Sequence, residues 1–98
     1  MERWKNTATD TLCDALLTLN TREECYDFLE DICTIKELQD LSQRLAVAGM
    51  LADGVSYHDI SRRTGASTAT ISRVNKCYGY GKGGYDTVLK RLDGERDK

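Results

Sequence analysis

The stretch SYHDISRRTGASTATISRVNK, residues 56–76, combines two helix-starting patterns with a single glycine between them. Ser56 begins a capping box, in which a hydroxyl accepts from an early helix N–H, and a second serine follows Gly65. Glycine adopts the positive φ that a tight turn between helices demands. The spacing therefore predicts one helix to about Thr64 and another to about Cys77, which together have the geometry of a helix-turn-helix.

The residue types within this stretch meet the packing needs of such a pair. Ile60 in the first helix and Ile71 and Val74 in the second supply apolar contacts between them. Ser61 is small, as needed where the two helices come closest. Only Thr64 departs from the pattern, because an aliphatic residue is commoner there. We therefore expect these three apolar side chains to be buried.

The other side of the pair is then exposed and suited to DNA. Small residues allow close approach to the major groove, hydroxyls bond base edges or phosphates, and arginine pairs bidentately with guanine or holds a phosphate. Cations of the first helix would fix the register through phosphates. The predicted contacts are Ser67, Thr68, Ala69, Ser72, Arg73 and Lys76 on the second helix, with Arg62, Arg63 and Tyr57 on the first.

Charge is distributed unevenly along the chain. The formal net charge is -2, yet residues 1–54 carry five basic and eleven acidic groups, and residues 55–85 carry five basic groups and one acid. Residues 86–98 balance at four of each. A chain with a negative net charge can thus have a basic functional surface. The basic segment coincides with the predicted helix-turn-helix, which favours DNA binding over a merely solvated face.

Apolar residues three and four positions apart predict helices along the rest of the chain, so the fold class is all-α. Segment 45–52, LAVAGMLA, is apolar on nearly every side, and a second copy of the chain is its expected cover. A glycine-rich loop is predicted over 78–85. One domain is expected over 1–98, with dimerisation helices in 1–54, the helix-turn-helix in 56–77 and a closing helix in 85–92.

Composition argues against several other classes of protein. One histidine with scattered carboxylates offers no catalytic arrangement, so no enzyme is predicted. The four cysteines form no CxxC pair, which predicts no metal site; Cys13, Cys25 and Cys33 read as core residues in a reducing cytoplasm. No apolar run approaches the roughly 20 residues that span a bilayer. The expected location is therefore the cytoplasm, with no membrane partner.

The segment SYHDISRRTGASTATISRVNKC, followed by YGYGKGGY and preceded by a long helix, resembles the Trp-repressor-like proteins of the YerC/YecD type. The resemblance covers about residues 4–92. It implies a six-helix Trp-repressor-like fold that forms an intertwined homodimer, with helices four and five reading DNA. It also implies transcriptional regulation, with a sequence-specific repressor bound to a palindromic operator in double-stranded DNA as the expected function.

The resemblance also indicates where a small-molecule effector would bind. In tryptophan-responsive repressors two arginines enclose the indole ring, and glycine follows the second of them. Arg73 matches that second arginine, but Val74 stands at the glycine position. Gln43 aligns with the other arginine, and Arg44 is one residue away. The possible effector pocket is thus Gln43, Arg44 and Arg73, with an unknown effector, no cofactor and no expected role for tryptophan.

Two other functions fit the same pattern. A helical dimer could use its basic face for a protein partner, and DNA would then not bind. Alternatively, the chain could be the DNA-binding module of a recombinase or replication initiator, although complete helices at both ends argue against this. Strongly salt-dependent DNA binding separates the regulator from the protein-binding dimer.

Overall fold

The computed structural model describes residues 3–96, with the side chains of residues 3–94. Helices are the only regular elements in this part of the chain, which confirms the predicted all-α class. In chain order they are α1 (Thr7–Leu17), α2 (Arg22–Ile32), α3 (Ile35–Ala52), α4 (Tyr57–Thr64), α5 (Thr68–Tyr80) and α6 (Gly84–Arg96).

The residues up to Ile35 form one compact unit, and those from Lys36 onward form another. The first unit contains α1 and α2, and neither helix has a buried residue. Large apolar side chains of this unit are instead exposed to solvent. They are Trp4, Leu12, Leu16, Leu17, Tyr26, Ile32 and Ile35. The first unit thus has apolar helix faces but no interior of its own.

The second unit holds the core of the protein. The six apolar residues that are buried among the described side chains lie in it and form one cluster: Val47, Ala48, Ile60, Ala66, Ile71 and Val74. Three of them, Ile60, Ile71 and Val74, are the positions that the sequence predicts as buried in the helix-turn-helix. Tyr85 and Leu89 of α6 pack against the cluster as partly buried residues. The core therefore lies where α3 and α6 support the α4–α5 pair.

The long helix α3 buries only part of its apolar surface within this chain. Val47 and Ala48 are fully buried, whereas Leu45 is 37% exposed and Leu41 is 49% exposed. An interior helix would bury all of these side chains. The apolar surface that this chain leaves open on α3 is therefore available to another molecule.

The glycine-rich loop is shorter than predicted. α5 continues through Tyr80, three residues beyond its predicted end, because the backbone N–H of Gly81 still donates to the Cys77 carbonyl at 2.8 Å. α6 begins at Gly84 and extends to Arg96, beyond the predicted end of the closing helix at Leu92. Only Gly81, Lys82 and Gly83 therefore connect the two helices.

Gly81 is expected to tolerate no side chain. A Cβ at this position would clash with the backbone carbonyl of Cys77, which cannot rotate away as a side chain could. We expect Gly81→Ala to lower the free energy of unfolding, measured by urea denaturation, by about 1–3 kcal/mol. Gly79→Ala is the control, since a Cβ there meets no atom within 4 Å beyond its own helix backbone, and alanine favours the helix by about 0.5–1 kcal/mol. Equal stability of the two variants would contradict the clash.

The cysteines are free thiols, and Cys13 is exposed rather than buried as predicted. The physical reason is that α1 has no interior in this chain to bury it. Cys25 and Cys33 are half-buried, and Cys77 is exposed.

In the described part of the chain, no helix is both long and apolar enough to cross a membrane. No cluster of His, Cys, Asp and Glu among the same residues is placed to hold a metal ion.

Candidate DNA-binding surface

The turn between α4 and α5 has the geometry that the sequence predicts. Gly65 adopts a left-handed φ of 76°, and its N–H donates to the Ser61 carbonyl at 2.8 Å, which ends α4. Ala66, the next residue, is 2% exposed and joins the core. A side chain with a Cβ would be strained at the glycine position. The turn therefore holds α4 and α5 as one helix-turn-helix unit.

The hydrogen bonds of the Thr64 hydroxyl account for a threonine where an aliphatic residue is commoner. This hydroxyl donates to the Ile60 carbonyl at 2.7 Å and accepts from the backbone N–H of Ala66 at 3.1 Å. Buried backbone groups at the end of a helix need such partners, which an aliphatic side chain cannot supply. Thr64 thus links the last turn of α4 to the segment that leads into α5.

The outward face of α5 carries the predicted DNA-reading residues. Ile71 and Val74 are buried, so they define the inward side of the helix. At about 100° per residue, Ala69, Ser72 and Lys76 lie on the opposite side, within a narrow stripe. All three are exposed. This stripe of small side chains with one cation at its C-terminal end is suited to a helix that enters the major groove.

Ser67, one of the predicted DNA contacts, is the N-cap of α5. Ser67 Oγ accepts from the backbone N–H of Thr70 at 3.1 Å and donates to Thr70 Oγ1 at 3.0 Å. Its hydroxyl therefore stabilises the start of the helix. Thr68 and Ala69, the next two residues, are exposed. They are the first side chains of α5 that a base pair could meet.

Cations of α4 border the same turn. Arg62 and Arg63 are exposed in the last turn of α4, and Tyr57 is 37% exposed in its first turn. Arg62 Nη2 lies 3.5 Å from Asp59 Oδ1, and both side chains are exposed. Such surface pairs contribute at most about 1 kcal/mol, so a phosphate can replace the carboxylate. Exposed cations at the end of α4 are therefore available for phosphate contacts next to the turn.

Arg73 stands between this stripe and a small cavity. The cavity has a volume of about 190 Å³ and lies entirely within the second unit, and Arg44 and Arg73 both contribute to its wall. No ion pair with a carboxylate is found for either guanidinium among the described side chains. Its other walls are Thr70, Val74, Cys77 and Tyr85. Two cationic groups facing one cavity favour an anionic occupant.

The structure brings together two of the three predicted effector residues and places the third elsewhere. Arg44 and Arg73 share the cavity, whereas Gln43 donates from Nε2 to the Thr64 carbonyl at 3.2 Å. A residue of α3 one position away faces another side of the helix, which accounts for the separation. Val74 is 3% exposed, so its side chain fills space that a glycine would leave open.

Sequence reasoning missed several residues around these sites. Thr70 and Cys77 lie three residues before and four residues after Arg73, and this helical spacing could have indicated that they share one side of α5. Tyr85 reaches the cavity from α6, and no local pattern signals that contact. Gln43 also contacts a backbone carbonyl, which every residue has. The sequence therefore carries no mark of its partner.

These features define a class of protein: an all-helical chain with a helix-turn-helix supported by a long helix. Residues 7–93 match the Trp repressor protein family. The chain belongs to the Trp repressor family. This confirms the resemblance that the sequence indicates, and with it the six-helix fold.

Individual relatives agree with the family assignment. The uncharacterized protein YerC of Bacillus subtilis is 48% identical over 92 residues, which are 94% of this chain and 88% of that protein. A crystal structure of a candidate Trp repressor from Staphylococcus aureus superposes with a TM-score of 0.89 at 48% identity, covering 93% of this chain and 91% of that one. The crystal structure of a TrpR-like protein from Eubacterium eligens superposes with a TM-score of 0.88 at 53% identity, covering 91% of this chain and 92% of that one.

Proposed function

We propose that this protein is a sequence-specific DNA-binding transcriptional regulator that acts as a homodimeric repressor on a palindromic operator in the cytoplasm. The observation that carries the proposal is the exposed α5 stripe of Ala69, Ser72 and Lys76, opposite the buried Ile71 and Val74. It lies within the basic segment of an otherwise acidic chain. Membership of the Trp repressor family supports the same function.

The positions of the side chains suggest which of them would contact bases and which would contact phosphates. Thr68, Ala69 and Ser72 are short and lie at the part of α5 that would enter the groove, so they would contact base edges and thymine methyl groups. Arg62 and Arg63 lie on α4, outside that helix, and would hold phosphates, as would Tyr57 and Lys76. Arg73 is long enough to reach either a guanine or a phosphate.

The homodimer is proposed because the first unit lacks an interior. Neither α1 nor α2 buries a residue, and Leu12 and Leu16 are 41% and 45% exposed one helical turn apart. Apolar helix faces of this kind need a cover. A second copy would supply it and would place two α5 helices on one duplex. Their centres would then lie about 34 Å apart, one turn of DNA, which requires an approximately palindromic site.

The cavity between Arg44 and Arg73 is the proposed site for a small anionic effector. Its volume of about 190 Å³ is below the roughly 300–1,000 Å³ of typical ligand pockets. Val74 and Tyr85 further restrict it. Tryptophan is therefore not the proposed corepressor, since the valine occupies the place that a glycine has in tryptophan-responsive repressors. DNA binding itself is proposed to need no cofactor.

The proposed function is tested by selecting binding sites from random duplex DNA with the purified protein. We expect an approximate palindrome, bound by two copies of the chain. An asymmetric site bound by one copy would contradict the dimeric arrangement. If no sequence is enriched, the basic face serves a protein partner instead, and the regulator hypothesis fails.

Arg73→Ala is expected to weaken binding to the selected site by about 1–3 kcal/mol if Arg73 contacts a base, because a bidentate guanine contact contributes that much. Binding is measured by fluorescence anisotropy on the selected site and on random DNA. Arg22→Ala, which removes an exposed arginine from α2, is the control and should leave both affinities unchanged. Equal losses on the two DNAs would make Arg73 a phosphate contact, and no loss would remove it from the interface.

A further inference from the structure

We propose that Gln43 is a positioning residue for DNA recognition: its contact with the end of α4 fixes the helix-turn-helix on the long helix α3. Gln43 Nε2 donates to the Thr64 carbonyl at 3.2 Å, across 21 positions of sequence, and both residues are half-buried. The inference rests on the proposed DNA-binding function. It assigns a role to a residue that does not touch DNA itself.

Hydrogen-bond chemistry fixes the orientation of the Gln43 side-chain amide. A backbone carbonyl only accepts, so the nitrogen of the Gln43 amide must face it. The last carbonyls of a helix lack intrahelical partners, and a half-buried one is destabilising if it stays unsatisfied. The Thr64 carbonyl is one of these groups. Gln43 therefore satisfies the end of α4 from a different helix.

Thr64 transmits this contact to the DNA-reading helix. Its hydroxyl accepts from the N–H of Ala66 at 3.1 Å, and Ala66 is buried two residues before α5 begins. One residue thus bonds through its carbonyl to α3 and through its hydroxyl to the start of the α5 segment. Gln43 and Thr64 together form what we call the polar clamp.

The consequence for recognition is geometric. Phosphate contacts from long, exposed arginines tolerate small rotations of the helix pair, because those side chains can adjust. Base contacts from the short side chains of Thr68, Ala69 and Ser72 cannot adjust in this way. A loosened polar clamp should therefore weaken specific binding far more than non-specific binding. A residue that only stabilises the fold would affect both equally.

The experiment compares variants of Gln43 in the full chain on the selected site and on random DNA. Gln43→Met has nearly the same shape but no donor, and Gln43→Asn keeps the amide but is one methylene too short. We expect both to bind the selected site about three- to tenfold more weakly, with random DNA within about twofold. Gln43→Lys restores an N–H donor and should recover binding to within about twofold of the original protein.

Gln39→Met is the matched control, since Gln39 is an exposed glutamine one turn earlier on α3. It should leave both affinities unchanged. The use of two different variants that break the contact, one without the donor and one too short to reach, keeps the test decisive if one of them does not fold. Hydrogen exchange of the Ala66 amide should also quicken several-fold in a folded Gln43→Met protein, because this amide bonds to Thr64.

Three results would overturn the inference. The first is unchanged specific binding in Gln43→Met and Gln43→Asn. The second is an equal loss on selected and random DNA, and the third is failure of Gln43→Lys to recover what Gln43→Met loses. If the original protein selects no DNA site at all, the proposed function fails and the inference falls with it. Specific binding by the original protein, unaffected by the variants, overturns the inference alone.

Discussion

Raising the monovalent salt concentration from 50 to 200 mM is expected to weaken binding to the selected DNA site about a thousandfold. Arg62, Arg63, Arg73 and Lys76 from two copies offer up to eight cations. If six engage phosphates, the slope of log K against log salt is about -5, because each contact releases condensed counterions. A titration of affinity against salt measures this slope directly.

Matched substitutions identify the cations responsible. Lys76→Gln removes one cation from each copy and should reduce the slope by about 2 in a dimer. Lys36→Gln also removes a lysine, but Lys36 pairs with Asp40 at the start of α3, outside the proposed surface, so the slope should not change. Affinity that is indifferent to salt would contradict DNA binding through this surface and favour a protein partner.

The helix starts were predictable because capping is local chemistry. The hydroxyl of Thr21 accepts from the N–H of Glu24, and Ser56 and Ser67 accept in the same way three residues before their partners. Each pattern is contained within four residues of sequence. α1 begins by the same local chemistry, since the Asn6 side chain accepts from the backbone N–H of Thr9 at the start of the helix.

The helix ends in the glycine-rich region were less predictable. Glycine lowers helix stability by only about 1 kcal/mol relative to alanine, and an established helix can continue through it. Gly79 lies within α5 for this reason, and the helix ends only at Gly81. Counting glycines therefore predicted a loop where the chain still forms backbone hydrogen bonds.

The exposed face of α5 could be predicted because three apolar residues fix the inward side of the helix-turn-helix. The cavity could be predicted only in part. Arg44 and Gln43 are neighbours in sequence, and their separate roles depend on how α3 is rotated against α4 and α5. That rotation results from tertiary packing around Val47 and Ala48, which a single sequence does not specify.

Leu16→Glu is expected to weaken dimerisation by at least about 100-fold. The unsubstituted chain should sediment at twice its 11.0 kDa mass at micromolar concentration, because a second copy covers the apolar faces of α1 and α2. A carboxylate buried without a partner costs several kcal/mol, and each 1.4 kcal/mol changes an equilibrium constant about tenfold. The symmetric dimer would contain this charge twice. Sedimentation equilibrium over a range of protein concentrations measures the change.

Thr11→Glu is the control, since it adds the same charge to α1 at an exposed polar position, where the hydroxyl only bonds back to the Thr7 carbonyl. Its dimerisation should match that of the unsubstituted chain. Leu16→Glu should also lose specific DNA binding, because one α5 helix alone contacts only half of a palindrome. A folded monomer of the unsubstituted protein at micromolar concentration would refute the dimer. Leu16, which is 45% exposed, would then lie on a surface that binds another partner.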